Sequence, residues 1–201
     1  MLINYDTTNT LFILGKSIYA HELYELISNE NTGKVESITT EQFLNLPKNS
    51  QCILGIKNME FRQNFLENTI ISQHCWPNYV HPSAVVISKR SVLAPGVIIG
   101  PLAIIGYNVI LEAFCDVGPA STIGHGSQLG RNTIASNTVR VGGTSKIGAN
   151  VFLSQMCSIN TKITIVDNCT IGMNSVVTKD ITVPGTYVGS PVRKTQTYKI
   201  T

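Results

Sequence analysis

From Ile87 onward every sixth residue is aliphatic: Ile87, Leu93, Ile99, Ile105, Leu111, Val117, Ile123, Leu129, Ala135, Val141, Ile147, Leu153, Ile159, Ile165, Ile171 and Val177. Only Ala135 in this series is not Ile, Leu or Val, and the frame reads without an insertion. Four residues after each aliphatic comes a small residue or valine, as at Val97, Ala103, Cys115, Ser121 and Ser127, with Ile163 and Ile181 the exceptions. Glycine recurs directly after the aliphatic, at Gly100, Gly106, Gly118, Gly124, Gly130, Gly142, Gly148 and Gly172. A helix repeats every 3.6 residues and a strand every two, so neither produces a strict period of six. A three-sided coil does, with one hexad per side and three hexads per turn. The aliphatic is expected inside, the small residue inside near the corner, and the glycine where the corner needs unusual dihedrals. Coils stacked at a strand spacing of about 4.8 Å make a prism of about five turns, roughly 25 Å tall. Each buried Leu or Ile contributes about 1.5–3 kcal/mol before conformational entropy is charged.

Residues 1–78 follow a different pattern. TLFIL (10–14) predicts a strand, and the amphipathic stretch from Tyr19 to Ser28 predicts a helix. Thr39 or Thr40 is placed to cap a short helix through Leu46. QCILGI (51–56) predicts a second buried strand and NMEFRQNFLEN (58–68) another helix. This alternation implies a small parallel α/β layer. WPNYVHP (76–82), with two prolines, marks the boundary, which gives an α/β domain over 1–78 and a coiled domain over 79–201.

Composition narrows the function classes. The 201 residues are 43% hydrophobic and 13% charged, which excludes a disordered chain. No apolar run reaches the ~18–20 residues of a membrane span. The opening MLINYDTTNT lacks a basic stretch followed by an apolar one, so a cytoplasmic protein is expected. Residues 1–78 hold 5 Lys+Arg against 8 Asp+Glu, and residues 79–201 hold 10 against 4. The basic second half suits an anionic small molecule but lacks the dense cluster that nucleic-acid binding needs. Five cysteines without a CxxC pair argue against zinc and redox centres. Cys115, Cys157 and Cys169 fall on the small-inside column and read as buried apolar residues.

Taken together, the N-terminal α/β unit, the join YVHPSA (79–84), the hexapeptide coils and the ending VVTKDI…YVGSPVRK (176–194) resemble the bacterial nucleotide-sugar acetyltransferases of sialic-acid and bacillosamine biosynthesis. The resemblance implies a mainly β fold: a left-handed parallel β-helix of hexapeptide repeats with a small N-terminal Rossmann-like α/β domain. It further implies a homotrimer that transfers acetyl from acetyl-CoA to an amino group of a nucleotide-linked amino sugar. In that family a histidine in a His-Asp or His-Glu pair, followed by two aliphatics and glycine, is the base. The matching segment is HGSQLG (125–130), which puts His125 in that role. Imidazole is the side chain suited to accept a proton near neutral pH.

The period also singles out His125 without the resemblance. Residues three hexads apart stack as Tyr107, His125, Gly143, Thr161 and Lys179, a solvent-facing corner column. The resemblance assigns the oxyanion donor to the backbone N–H of Gly143 and the pantetheine contacts to Ile134, Gln155 and Met173. Lys179, Arg193 and Lys194 are the candidate partners of the CoA phosphates. The family's Gly-x-Gly-Gly nucleotide turn corresponds to GKSI (15–18), so Gly15, Lys16, Ser17 and the strand-end Gly55 are the expected nucleotide-sugar contacts.

Two departures stand out. The carboxylate that normally follows the base is Gly126, and a second cofactor-assisting histidine is Ile134. Asp116 and Glu112 are the carboxylates available to substitute across a subunit interface. Three alternatives follow: an O-acetyltransferase, a non-catalytic trimeric partner of another biosynthetic enzyme, or a zinc enzyme on the same coils. The last needs three histidines, whereas the coils offer His125 and, at the join, His81. No metal is therefore expected.

Overall fold

The computed structural model describes residues 2–3, 5–30, 33–69 and 71–195, and the chain divides into two compact units, Met1–Val80 and His81–Thr201. In the second unit consecutive two-residue strands fall on three different sheets in turn. Ile98–Ile99, Ile104–Ile105 and Ile110–Leu111 open this sequence of three, and each pairs in parallel with the strand three places on. The register confirms the coil length, because Val117 lies opposite Ile99 and Ala135, and Ile123 opposite Ile105 and Val141. The aliphatic column fills the interior: Ile99, Ile105, Leu111, Val117, Ile123 and Leu129 have no exposed surface. The small column is buried beside it, including Cys115, Cys157 and Cys169. Burial pushes the Cys157 thiol up to about 12, so it sits there as an apolar filler.

Where the small residue carries a hydroxyl, it also completes the backbone ladder. Ser127 Oγ donates to the Gly142 carbonyl (3.0 Å) and accepts from the Ser145 N–H (3.2 Å). Ser121 and Ser145 repeat the arrangement one side before and one coil after.

The corner glycines do a different job from the one expected. Positive φ falls three residues after each aliphatic, mostly on non-glycines: Leu102, Asn108, Phe114, Ala120, Asn132, Thr138, Thr144, Asn150 and their successors, with φ between 52 and 62°. The glycines directly after the aliphatics have no positive φ. They are required because the next coil lies against them. A Cβ on Gly124 would stand 2.5 Å from the Gly143 nitrogen, and one on Gly142 2.5 Å from the Thr161 nitrogen. The unfavourable corner dihedral is offset by a hydrogen bond to the coil before, such as Thr144 N–H to the His125 carbonyl at 2.7 Å.

The frame also slips at both ends. Val86, not Ile87, pairs with Ile105, and Ile87 is 60% exposed, so the first coil carries one extra residue before Ser91. At the far end Ile181 bridges to Ile165 and is buried, which gives it an aliphatic-column place instead of a small-column one. A hairpin, Gly185–Gly189 with Val192–Thr195, follows on the sheet that carries Cys169–Ile171.

The first unit holds a parallel sheet in the order Val35–Ile38, Leu11–Leu14, Gln51–Leu54. Helix Ile18–Glu30 buries Ala20, Leu23 and Ile27, one face of a helical stripe. Thr39 and Gln42 form a reciprocal capping box on helix Thr40–Leu44, two residues shorter than the sequence suggests. Phe43 and Phe65 of helix Met59–Asn68 meet edge to face at 5.2 Å. The strand Val35–Ile38 has no counterpart in the sequence reading. Its VESI sequence puts two polar residues between Val35 and Ile38 and so shows no strand alternation, and such a short edge strand carries little hydrophobic signal.

Candidate active site

His125 stands at an exposed corner with its imidazole folded over Gly143, one coil on. A Cβ on Gly143 would lie 2.6 Å from Cε1, 2.8 Å from Nε2 and 2.9 Å from Nδ1, closer than atoms approach. Glycine at 143 is thus the reason the ring can occupy this place. Two backbone bonds hold the corner: Gly126 N–H donates to the Tyr107 carbonyl at 2.8 Å, and Lys162 N–H to the Gly143 carbonyl at 2.9 Å. Gly126 takes the positive-φ place, with φ 66°. Among the described residues the His125 ring has no hydrogen-bond partner, and none of their carboxylates replaces the one missing at 126. Glu112 is engaged elsewhere, accepting from Gln128 Nε2 (2.7 Å) and the Arg131 N–H (3.0 Å). Asp116 is 1% exposed on the strand Asp116–Val117.

Corner N–H groups two residues after the aliphatic lie outside the coil-to-coil ladder, and several are taken by side chains. Arg131 N–H is bound by Glu112, Ala149 N–H by Asp167 Oδ1 (2.8 Å) and Thr161 N–H by Asn160 Oδ1 (2.8 Å). The Gly143 N–H has no acceptor among the described residues. A base and an unoccupied backbone donor therefore share one corner, the combination that proton removal and oxyanion stabilisation require.

The other expected cofactor contacts are not gathered with them. Gln155 and Met173 are exposed but stack on a different vertical edge of the prism. Ile134 is fully buried on the strand Ile134–Ala135, so its side chain has no surface to offer a ligand. Lys179 is exposed on the His125 column. Arg193 and Lys194 are exposed on the hairpin, where Lys194 lies alongside Gly185.

In the α/β unit the expected nucleotide residues do come together. Gly15, Lys16 and Ser17 line a cleft of about 820 Å³ at the carboxyl ends of the parallel strands, the usual ligand crevice of such sheets. Gly15, at φ 136°, packs on Gly55: a Cβ there would lie 2.7 Å from the Gly55 carbonyl oxygen. Lys16 Nζ is held by the Ser37 carbonyl, and Ser17 Oγ accepts from the Ala20 N–H (3.3 Å) at the start of the helix. Sequence reasoning missed Tyr19, Thr39, Lys57, Asn58 and Phe61, which also line the cleft. Lys57 Nζ lies 4.3 Å from the centre of the Tyr19 ring. Thr39 and Lys57 follow the ends of the strands that pair with Leu11–Leu14, and only that pairing brings them to the crevice, so the sequence carried no signal for them.

Among the described residues no three His, Cys, Asp or Glu side chains group as metal ligands would, and no helix is long and apolar enough to cross a membrane. The architecture is that of a left-handed parallel β-helix preceded by a small α/β unit. No protein-family model matches the chain, and no curated protein matches it in sequence. Solved structures do match it in fold. The acetyltransferase domain of PglB from Neisseria gonorrhoeae superposes with a TM-score of 0.85 at 20% identity, over 94% of this chain and all of that one, and the figures are the same for its complex with acetyl coenzyme A. PerB from Caulobacter crescentus, in complex with CoA and GDP-perosamine, gives 0.72 at 18% identity over 98% of this chain and all of that one.

Proposed function

We propose that the protein is an acetyl-CoA-dependent N-acetyltransferase acting on an amino group of a nucleotide-linked amino sugar. The observation that carries this reading is the corner shared by the His125 imidazole and the Gly143 N–H, which lies buried beneath the ring with no acceptor among the described residues. The fold shared with acetyltransferases whose structures hold acetyl coenzyme A, or CoA with GDP-perosamine, supports the substrate class. The acceptor nitrogen attacks the thioester carbonyl carbon, a C–N bond forms, and the C–S bond breaks. His125 takes the proton lost by the amine and returns it to the departing CoA sulfur. Gly143 N–H binds the carbonyl oxygen while it carries negative charge. Gly15, Lys16 and Ser17 hold the nucleotide of the acceptor at the sheet crevice, with Gly55 packed against Gly15. The cytoplasm, where acetyl-CoA and nucleotide-activated sugars are made, is the fitting compartment.

The active form is a homotrimer, an assembly that builds grooves between convex prisms for the pantetheine arm. Exposed apolar residues concentrate on the first two coils: Val85 pairs with Ile104, Val92 with Ile110, and Ile87 and Leu102 stand between. Further down the same sheets the outward residues turn polar, as at Thr122, Arg140, Gln128 and Lys146. An apolar collar over the first two coils supports association of copies.

Purified protein with acetyl-CoA and a panel of nucleotide-linked amino sugars, GDP-perosamine included, tests the reading through thiol release. His125→Ala is expected to lose about 10²–10⁴-fold in rate while the oligomer persists. Full activity in that variant removes His125 from the role of base. The missing carboxylate beside His125 favours one second reading, a non-catalytic partner, and absence of acetyl-CoA binding at millimolar concentration decides for it.

A further inference from the structure

We propose that Arg90 and Tyr107 form an anion-binding subsite on the His125 edge, which holds a phosphate of the acceptor one coil from the imidazole. That the phosphate belongs to an acceptor rests on the acetyltransferase reading; the anion site does not.

The extra residue of the first coil falls between Ile87, which bonds to the Ile105 carbonyl, and Ser91, whose hydroxyl accepts from the Val109 N–H. It forms a small turn in which Ser91 N–H donates to the Ser88 carbonyl (3.1 Å) and Arg90 N–H to Ser88 Oγ (3.1 Å). The turn carries Arg90 to the edge, where Nη1 donates to the Tyr107 hydroxyl at 2.9 Å. Tyr107 is fixed directly before His125 in the column, since its carbonyl accepts from Gly126 N–H.

The chemistry of the pair is that of an oxyanion receptor. Guanidinium has five N–H donors in a planar fork, and the tyrosine hydroxyl uses only one of them. A hydroxyl that accepts from Arg90 has its own proton to give, so both groups donate toward the same space. Among the described residues Arg90 is in no ion pair, and its sequence neighbour Lys89 adds a second positive charge. Ile87, Ile104 and Ile110, exposed apolar residues within three positions of Arg90 or Tyr107 in sequence, carry no counter-charge.

Distance selects the source of the anion. Tyr107 and His125 are separated by one coil, about 4.8 Å of rise. In a nucleotide-linked amino sugar a single hexose ring lies between phosphate and amine, so the two can reach neighbouring coils of one edge. In acetyl-CoA the whole pantetheine arm lies between thioester and phosphate, so a thioester at Gly143 leaves those phosphates far from Arg90.

The test uses the full-length protein, inorganic pyrophosphate as probe, and diethyl pyrocarbonate modification of His125 read by peptide mass spectrometry. Pyrophosphate is expected to slow modification of His125 several-fold in the wild type. Arg90→Ala is expected to abolish the protection, Tyr107→Phe to weaken it and Arg90→Lys to retain part of it. Unprotected His125 in the wild type, or equal protection in Arg90→Ala, overturns the proposal. So does protection lost only in Lys16→Ala, which places the anion in the α/β unit, and so does protection by glucuronate but not by pyrophosphate. This readout needs no acetyl transfer, so an inactive protein with Arg90-dependent protection sinks the transferase reading and leaves the anion site standing. With an active protein, Arg90→Ala is expected to lower kcat/KM for the nucleotide-linked acceptor and spare the free amino sugar.

Discussion

The edge that carries His125 and the edge that carries Arg131 are built on the same repeating backbone but differ in what covers the corner N–H beside the imidazole. On the Arg131 edge the side chains of Glu112 and Asp167 fill the donors of Arg131 and Ala149. On the His125 edge Asn160 fills the donor of Thr161, whereas an imidazole lies over the buried Gly143, whose N–H has no acceptor among the described residues. The corner donors thus lie outside the coil-to-coil ladder, and side chains decide which of them are capped.

Gly143→Ala attacks that difference most directly. The added methyl group would occupy the place of the His125 ring, and the ring, an exposed side chain, is what gives way. A misplacement of that size costs about 10²-fold in kcat/KM, with circular dichroism unchanged. Retained activity would show that the ring's position over residue 143 is irrelevant to transfer.

Glu112→Ala probes the opposite edge. It removes a charge-assisted bond to the Arg131 N–H, so stability is expected to fall by about 1–3 kcal/mol in chemical denaturation. Acetyl transfer is expected to hold. A loss of orders of magnitude would instead mean that Glu112 serves the base of a neighbouring copy, and the contrast between the edges would fail.

The smallest effect concerns a second histidine, in the α/β unit. His74 lies against Phe43 with ring centres 4.7 Å apart, and its Nδ1 is buried without a partner. Burial lowers its pKa, so the unfolded chain binds the proton more tightly than the folded one. Stability is then complete above the unfolded value, near 6.5, and is lost as pH falls below it toward the folded value. The thermal midpoint of the wild type should therefore drop on acidification more than that of His74→Phe. Parallel curves for the two proteins would assign the acid sensitivity elsewhere.

The coils were legible because each hexad repeats the same local demand: Ile123 and Leu129 declare the interior by period alone, and His125 falls at a corner by counting. The helix over 18–30 and the Thr39 cap were legible for the same reason, being local patterns. The edge strand Val35–Ile38 was not, since only pairing with Leu11–Leu14 makes it a strand. In the crevice, Gly15 and Lys16 were visible as a turn after a strand, whereas Lys57 and Phe61 join them through folding alone.

The sequence by itself determined the prism, its filled interior and the edge on which the imidazole stands, because these follow from spacing along the chain. Tertiary structure decided why residue 142 and residue 143 are glycines, where positive φ falls, which corner donors are occupied, and where the first coil gains a residue. Those features depend on contacts between coils three hexads apart, where a neighbour is set by stacking, and no local pattern records what the next coil will press against.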